Sequence, residues 1–104
     1  MSFVQLIEYE TTQPEEIKRL EREWLRATEG RRTLRRSVVT RDRNNPDHYL
    51  SVAEFDSYEE AMRNSELPET QALAEQVAAL CSTPPTFTDL DVVDVVEGVE
   101  AATG

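Results

Sequence analysis

The spacing of apolar residues changes several times along this chain, and the order of those changes restricts the fold more than any other feature. Residues 3–10 (FVQLIEYE) are rich in β-branched and aromatic side chains that alternate between two partly apolar faces, which predicts a strand. Residues 13–29 follow, with Ile17, Leu20 and Trp24 at helical spacing among charged residues. The chain therefore begins with a strand and an amphipathic helix.

Two local signals set the predicted ends of this first helix. Thr12, followed three residues later by Glu15, has the pattern of a capping box. Gly30 is the residue type that most readily adopts the left-handed conformation in which helices end. We therefore expect the helix over about residues 13–29.

Alternation with a period of two returns in the middle of the chain. Residues 32–41 (RTLRRSVVTR) and residues 49–55 (YLSVAEF) both show it, which predicts the second and third strands. Residues 44–47 (NNPD) lie between them and are dense in turn formers. The two strands should therefore form an antiparallel hairpin.

The last part of the chain predicts two helices and a final strand. Ser57 and Glu60 form a second capping box, for a short helix over about residues 58–65. Pro68 opens a third helix. Residues 87–96 (FTDLDVVDVV) are again strand-like and predict the fourth strand.

The element order βαββααβ is that of a ferredoxin-like α+β fold, with a four-stranded antiparallel sheet in the order 4-1-3-2. A length of 104 residues suits one domain, which we expect over residues 1–97. Residues 98–104 have the small, polar composition of a flexible tail. Helices cover only one face of such a sheet, and the first and fourth strands are apolar on both faces. The uncovered face predicts a homodimer, because a second copy of the chain would hide it.

The charge of the chain argues against two classes of partner. Twenty-one acids against eleven bases give a net charge of −10, which opposes binding to nucleic acid and to anionic membranes. No apolar run is long enough for a membrane helix, and residues 1–10 lack the pattern of a signal peptide. We therefore expect a cytoplasmic protein.

The charge is also unevenly distributed, because ten of the eleven bases lie between Lys18 and Arg43. The second and fourth strands are the edges of a 4-1-3-2 sheet, and they carry opposite charges. The residues concerned are Arg32, Arg35, Arg36 and Arg41 on the second strand and Asp89, Asp91, Asp94 and Glu97 on the fourth. Either these edges meet across the two-fold axis of a dimer, or the charges only blunt two exposed edges.

The single cysteine, Cys81, excludes an internal disulfide and a multi-cysteine metal site. Its position near the end of an alanine-rich helix favours simple packing. The sequence also contains no glycine-rich nucleotide loop and no cluster of metal ligands. We therefore expect no cofactor and no metal.

Residues 55–69 (FDSYEEAMRNSELPE) resemble a segment of small actinobacterial members of the antibiotic biosynthesis monooxygenase family, which are dimeric α+β barrels. The matching features are the strand end, the capped short helix, the Arg-Asn-Ser triplet and the Pro-Glu pair. The resemblance implies a cofactor-independent monooxygenase that acts on or binds a planar aromatic molecule, such as a quinol or an anthrone. Haem-degrading relatives use a helical histidine, and the predicted third helix over residues 68–81 contains none.

An oxygenase of this kind needs a dry pocket, a base and hydrogen-bond donors. His48 is the only histidine and the obvious base, although an exposed hairpin residue is the alternative interpretation. Trp24 either forms an aromatic wall of the pocket or belongs to the core. Polar groups that could contact the ligand are available at several other positions: Tyr49, Tyr58, Arg63 and Asn64.

Arg63 and Asn64 also have a purely structural interpretation. Asn64 can close the short helix, while Arg63 pairs with a glutamate of the same helix. None of the candidate residues lies in a motif specific to one reaction. The alternative function is therefore a non-catalytic dimeric barrel that binds a ligand or has a stress-related or regulatory role.

Overall fold

The computed structural model describes residues 2–99 and confirms the predicted order of elements. Residues 100–104 of the predicted tail lie outside the described residues, so the flexible tail stays a prediction. The elements are β1 (Phe3–Glu10), α1 (Pro14–Ala27), β2 (Arg36–Arg41), β3 (His48–Phe55), α2 (Tyr58–Glu66), α3 (Pro68–Ala79) and β4 (Thr86–Asp91).

The four strands form one antiparallel sheet in the order β2-β3-β1-β4, which is the predicted 4-1-3-2 order. β1 lies at the centre, paired with β3 along eight residues and with β4 along six. β2 and β4 are the two edges. The ferredoxin-like α+β fold is therefore confirmed.

The helix-facing side of the sheet carries the aromatic core. Phe3 and Phe55 are directly opposite each other on β1 and β3, and both are at most 5% exposed. Ala53 and Ala61 complete this cluster, and Ala61 belongs to α2. The Phe3 ring also meets the Tyr58 ring of α2 edge to face at 5.5 Å. These contacts hold α2 against the centre of the sheet.

The opposite side of the sheet, which we call the open face, is covered by no helix or strand of residues 2–99. The strand registers place six aliphatic side chains on it, none of which is fully buried. They are Val4, Leu6, Val38, Leu50, Val52 and Leu90. The predicted uncovered apolar face is therefore present.

Both edge strands are shorter than the sequence predicted, for different reasons. β2 begins at Arg36 rather than at residue 32, because the backbone N–H of Thr33 donates to Oδ1 of Asn64 (3.1 Å) and not to a strand. β4 ends at Asp91 rather than at residue 96, because Asp91 pairs with Phe3, where β1 itself begins. Beyond that point β4 has no neighbouring strand within its own sheet.

The capping box predicted at Thr12 is wrong, whereas the one at Ser57 is confirmed. Helix α1 begins at Pro14 without a side-chain cap, and the Thr11 hydroxyl accepts the N–H of Gln13 (3.0 Å) while donating to the Leu80 carbonyl (2.7 Å). The Ser57 hydroxyl accepts the N–H of Glu60 at 3.1 Å, as expected for an N-cap.

The predicted left-handed glycine is also present. Gly30 has a φ of +80°, although α1 has already ended at Ala27. No helix among the described residues is long and apolar enough to cross a membrane.

Candidate functional site

The structure does not bring the six predicted site residues together in one place. They occupy three regions of the fold: the interface between α1 and α3, the helix α2, and the strand β3. Trp24 lies in the first region, Tyr58, Arg63 and Asn64 in the second, and His48 and Tyr49 in the third.

Trp24 contacts α3. The residue is 8% exposed, and its Nε1 donates to the Thr70 hydroxyl at 2.9 Å. The Arg32 guanidinium lies 6.0 Å from the ring centroid, within the range of a cation–π contact. Trp24 also lines a groove of about 160 Å³ between α1 and α3, together with Leu20 and Leu73. Its contacts therefore fit the interpretation as a packing residue.

The α2 candidates also make structural contacts. Oδ1 of Asn64, a buried residue, accepts the N–H of Thr33 and so holds the segment that leads into β2. Arg63 is exposed and donates to Oε1 of Glu60 at 2.9 Å, one turn back along the same helix. Tyr58 is half-exposed and packs its ring against the core.

His48 points toward the open face, at the end of the sheet where β3 begins. Its Nε2 lies 2.7 Å from Oε2 of Glu8, and its Nδ1 lies 3.5 Å from Oδ2 of Asp42. The hydrogen bond with Glu8 raises the pKa of His48, with a smaller contribution from Asp42. A backbone N–H from Asn44, helped by His48, lowers the pKa of Asp42. His48 thus belongs to a compact ion-pair cluster.

A cleft of about 160 Å³ adjoins this cluster. Glu8 and His48 form one wall of the cleft, and the segment before β4 contributes Pro84. Among the described residues, no group of three or more histidines, cysteines or acids could hold a metal ion. Glu8, Glu10 and His48 are the groups in its lining that could exchange a proton with a bound molecule.

Tyr49 lies on the helix-facing side of β3 and stacks on Tyr9 of β1. The ring centroids are 5.5 Å apart, and the rings are nearly parallel, at 12°. Tyr9 is buried, and burial raises its pKa to about 12, with the negative charge of Glu21 as the next largest cause. The Tyr9 phenol therefore keeps its proton at neutral pH.

Glu21 is the functional group that the sequence analysis missed. It lies on the buried side of α1, and burial raises the pKa of its carboxyl, partly offset by Lys18. The sequence pattern could have identified this residue, because Glu21 interrupts the apolar stripe of α1, four residues after Ile17 and three before Trp24. An acid in such a stripe is partly desolvated, and a raised pKa makes its carboxylate a stronger base.

The phenol–carboxyl cluster, as we call Tyr9, Tyr49 and Glu21, is the best candidate site. Tyr9 and Tyr49 supply an aromatic surface, and Glu21 supplies a carboxyl whose charged form is disfavoured. All three residues lie between α1 and the helix-facing side of the sheet. Cys81 is close enough to add to the raised pKa of Tyr9, but its own thiol donates to the Val77 carbonyl at 3.1 Å.

Comparison with known proteins gives a fold and no sequence match. No family model and no curated protein matches the chain. SnoaB, a cofactor-independent oxygenase from Streptomyces nogalater, superposes with a TM-score of 0.76 at 12% identity, over 91% of this chain and 96% of that chain. Rv0793 from Mycobacterium tuberculosis superposes with a TM-score of 0.74 at 12% identity, over 93% of this chain and 100% of that chain.

A third structure comes from Caulobacter crescentus and is provisionally described as an antibiotic biosynthesis monooxygenase. It superposes with a TM-score of 0.75 at 10% identity, over 89% of this chain and 91% of that chain. At these identities the likeness shows a shared fold. The resemblance that residues 55–69 predicted is confirmed at that level.

Proposed function

We propose that this chain, which has the fold of antibiotic biosynthesis monooxygenase-like structures, is a homodimer that binds a planar aromatic quinol or anthrone and oxidises it without a cofactor. The phenol–carboxyl cluster is the observation that carries this proposal. The charge of a partly buried carboxyl, Glu21, contributes to the raised pKa of Tyr9, and the Tyr9 ring stacks on Tyr49.

The chemistry needs no group beyond the substrate, dioxygen and these side chains. The Glu21 carboxylate accepts a proton from the substrate, and the substrate anion transfers its electrons to dioxygen. For an anthrone, one oxygen atom becomes the new ring carbonyl and the other leaves as water, so anthrone and dioxygen give anthraquinone and water. The Tyr9 hydroxyl, which stays protonated, donates a hydrogen bond to the developing oxyanion.

The open face supports the proposed dimer. Its six aliphatic side chains form one surface, with Val38 at 39% and Leu90 at 40% exposure near the two edges. Apolar patches of this kind on a small domain usually mark an interface. The cytoplasmic location and the lack of nucleic-acid partners stay predictions.

A non-catalytic barrel is the second candidate, and two observations favour it. Trp24, Arg63 and Asn64 are already engaged in contacts that stabilise the fold. The two clefts described above have volumes of about 160 Å³ each, whereas small-molecule sites usually exceed about 300 Å³. In this alternative the protein binds an aromatic ligand or has a stress-related or regulatory role.

Oxygen consumption by the purified protein with dithranol, an anthrone, separates the two candidates. The oxygenase predicts one dioxygen consumed per quinone formed, without added flavin, haem or metal. Glu21→Gln should then lower kcat by about a hundredfold or more, which is typical for loss of a general base. Glu23→Gln is the matched control, because Glu23 lies on the exposed side of α1 and pairs with Arg19.

The same assay tests His48, the base that the sequence predicted. His48 lies on the other side of the sheet from Tyr49 and Glu21, so His48→Ala should leave kcat close to that of the wild type. Loss of activity in His48→Ala but not in Glu21→Gln would identify His48, and not Glu21, as the base. A wild-type protein that binds dithranol but never turns it over supports the non-catalytic barrel.

A further inference from the structure

A row of residues crosses the helix-facing side of the sheet at the end where β3 begins. Arg41 of β2 is directly opposite Tyr49 of β3, and Tyr49 is directly opposite Tyr9 of β1. Side chains that are directly opposite each other on antiparallel strands lie on the same face of the sheet. Arg41 therefore lies on the face that holds the stacked tyrosine rings, and the row adds a cation to the phenol–carboxyl cluster.

The charge of Arg41 is not neutralised by the acids near it. Arg41 is exposed and makes no ion pair within the part of the chain that the structure describes. The next residue, Asp42, belongs to the ion-pair cluster of His48 on the open face. Lys18, and not Arg41, is the cation that offsets the raised pKa of Glu21. The guanidinium of Arg41 is thus available to an anionic ligand.

The sheet beside Arg41 offers an apolar surface that the helices leave accessible. All six residues of β2 are exposed, and Val39, which lies on the same side of the strand as Arg41, is 47% exposed. Tyr49 is only partly buried and is a diagonal neighbour of Val39, within contact distance for an aromatic side chain. We call Val39, Arg41 and Tyr49 the arginine shelf. It combines an apolar surface with one cation at its rim.

A planar aromatic molecule that carries a carboxylate fits the arginine shelf. Its rings can contact Val39 and Tyr49, while the planar guanidinium of Arg41 binds the carboxylate through two parallel hydrogen bonds. Two strand spacings, or roughly 10 Å, separate Arg41 from Tyr9 across the sheet. This distance is comparable to the length of three fused rings. A carboxylate held at Arg41 therefore directs a tricyclic molecule along the row toward Tyr9.

We infer that the aromatic molecule bound by this protein carries a ring carboxylate, which Arg41 holds at the edge of the phenol–carboxyl cluster. Arg41 selects and orients the molecule and takes no part in proton transfer. The inference rests on the proposed function for the reaction that follows, but the binding itself needs no turnover. A net charge of −10 repels anions in general, so a preference for a carboxylate requires a local cation.

Two probes that dioxygen cannot oxidise test this role, anthraquinone-2-carboxylate and its neutral carboxamide. Both have the same three rings and differ in charge. Equilibrium dialysis at low salt should show that the wild type binds the carboxylate at least fivefold more tightly, because charge-assisted hydrogen bonds are the stronger ones. Arg41→Gln should weaken binding of the carboxylate at least fivefold and change that of the carboxamide little.

Arg43→Gln is the matched control. Arg43 is also exposed, and it lies in the turn two residues after Arg41, so the substitution makes the same change in net charge. This variant should bind both probes as the wild type does. Equal affinities of the wild type for the two probes, or equal losses in Arg41→Gln and Arg43→Gln, would overturn the inference.

Turnover of two anthrones separates the inference from the proposed reaction. Rhein anthrone is dithranol with one added ring carboxylate. With this substrate Arg41→Gln should raise KM at least fivefold and leave kcat close to that of the wild type, as expected for a residue that binds substrate and transition state equally. A protein that binds the carboxylate probe through Arg41 but oxidises neither anthrone retains the arginine shelf and contradicts the oxygenase. Turnover of dithranol without binding of either probe supports the oxygenase and contradicts the arginine shelf.

Discussion

The two faces of the sheet differ in what their side chains do. The helix-facing side combines large aromatic residues, such as Phe3 and Phe55, with polar groups that are paired: the hydroxyls of Ser37 and Ser51 lie 3.1 Å apart. The open face combines its six aliphatic residues with three threonines, Thr40, Thr86 and Thr88, and carries charged residues toward its rims. Both faces therefore carry apolar side chains, and the helices cover only one of them.

This difference teaches that hydrophobicity alone does not identify the core of such a domain. Polar groups such as Ser51 and Asn64 are tolerated under the helices because they are hydrogen-bonded. The open face offers exposed aliphatic area between polar rims, which is the arrangement of a protein interface. Our proposals therefore place chemistry and assembly on opposite sides of one sheet, and four experiments can break or sharpen that division.

The largest expected effect is on the stability of the isolated chain. Phe3→Ala should lower the free energy of unfolding by about 3–5 kcal/mol, because Phe3 is 2% exposed and the change leaves a cavity. Leu90→Ala, on the open face, should cost about 1 kcal/mol because the side chain is 40% exposed. Urea unfolding at low protein concentration measures both. Equal losses would mean that the two faces contribute alike to the monomer.

The next effect is on association, at two neighbouring positions of β2. Val38 lies on the open face and is 39% exposed, whereas Val39 lies on the helix-facing side and is 47% exposed. Val38→Glu should weaken the dimer at least tenfold, or about 1.4 kcal/mol, and Val39→Glu should change it little. Sedimentation equilibrium of the two variants measures both dimer affinities. A larger effect at Val39 would mean that the dimer interface lies on the helix-facing side and not on the open face.

A smaller effect concerns Glu21. Because burial raises its pKa, the folded state disfavours the carboxylate, and the resulting loss of stability sets in as pH rises above the pKa of the unfolded carboxyl. Glu21→Gln removes that loss, so the variant should be more stable than the wild type at pH 7 and no different near pH 3. Thermal unfolding across this range measures it. Glu23→Gln should show no such gain.

The smallest effect concerns His48 and has the opposite dependence on pH. The partners Glu8 and Asp42 raise its pKa, so the protonated ring stabilises the fold. That contribution is complete below the unfolded histidine pKa of about 6.5 and disappears as pH rises through the raised value. His48→Gln should therefore lower Tm more at pH 5.5 than at pH 9. A loss that is equal at both pH values would rule out the charged cluster.

The fold could be predicted from the sequence because its signals are local. The changes in apolar spacing predicted every helix and strand, and the order of these elements predicted the strand order of the sheet. Ser57 caps α2 as expected. The errors in the strand ends arose where a distant partner decides: Thr33 donates to Asn64 instead of pairing within β2, and β4 ends where β1 provides no further neighbour. The predicted cap at Thr12 was wrong because α1 begins at Pro14, with Gln13 at the N-cap position.

The candidate site was less predictable, because residue type does not tell which face a side chain occupies. His48 attracted attention as the only histidine, yet its neighbours on the open face hold it in ion pairs. Tyr49 was named, but its partner Tyr9 was not, because stacking across two strands depends on register. Glu21 is the exception, since its place in the apolar stripe of α1 was visible in the sequence.

The central position of β1 has a consequence for how the molecule folds. The β2–β3 hairpin joins residues no more than 18 positions apart, whereas Phe3 and Asp91 of the β1–β4 pair are 88 positions apart. Closing the longer loop costs about 1.4 kcal/mol more in chain entropy. We therefore expect the hairpin to form early and β4 to dock last. Until it does, one side of β1 remains an open edge, and refolding yield should fall as protein concentration rises.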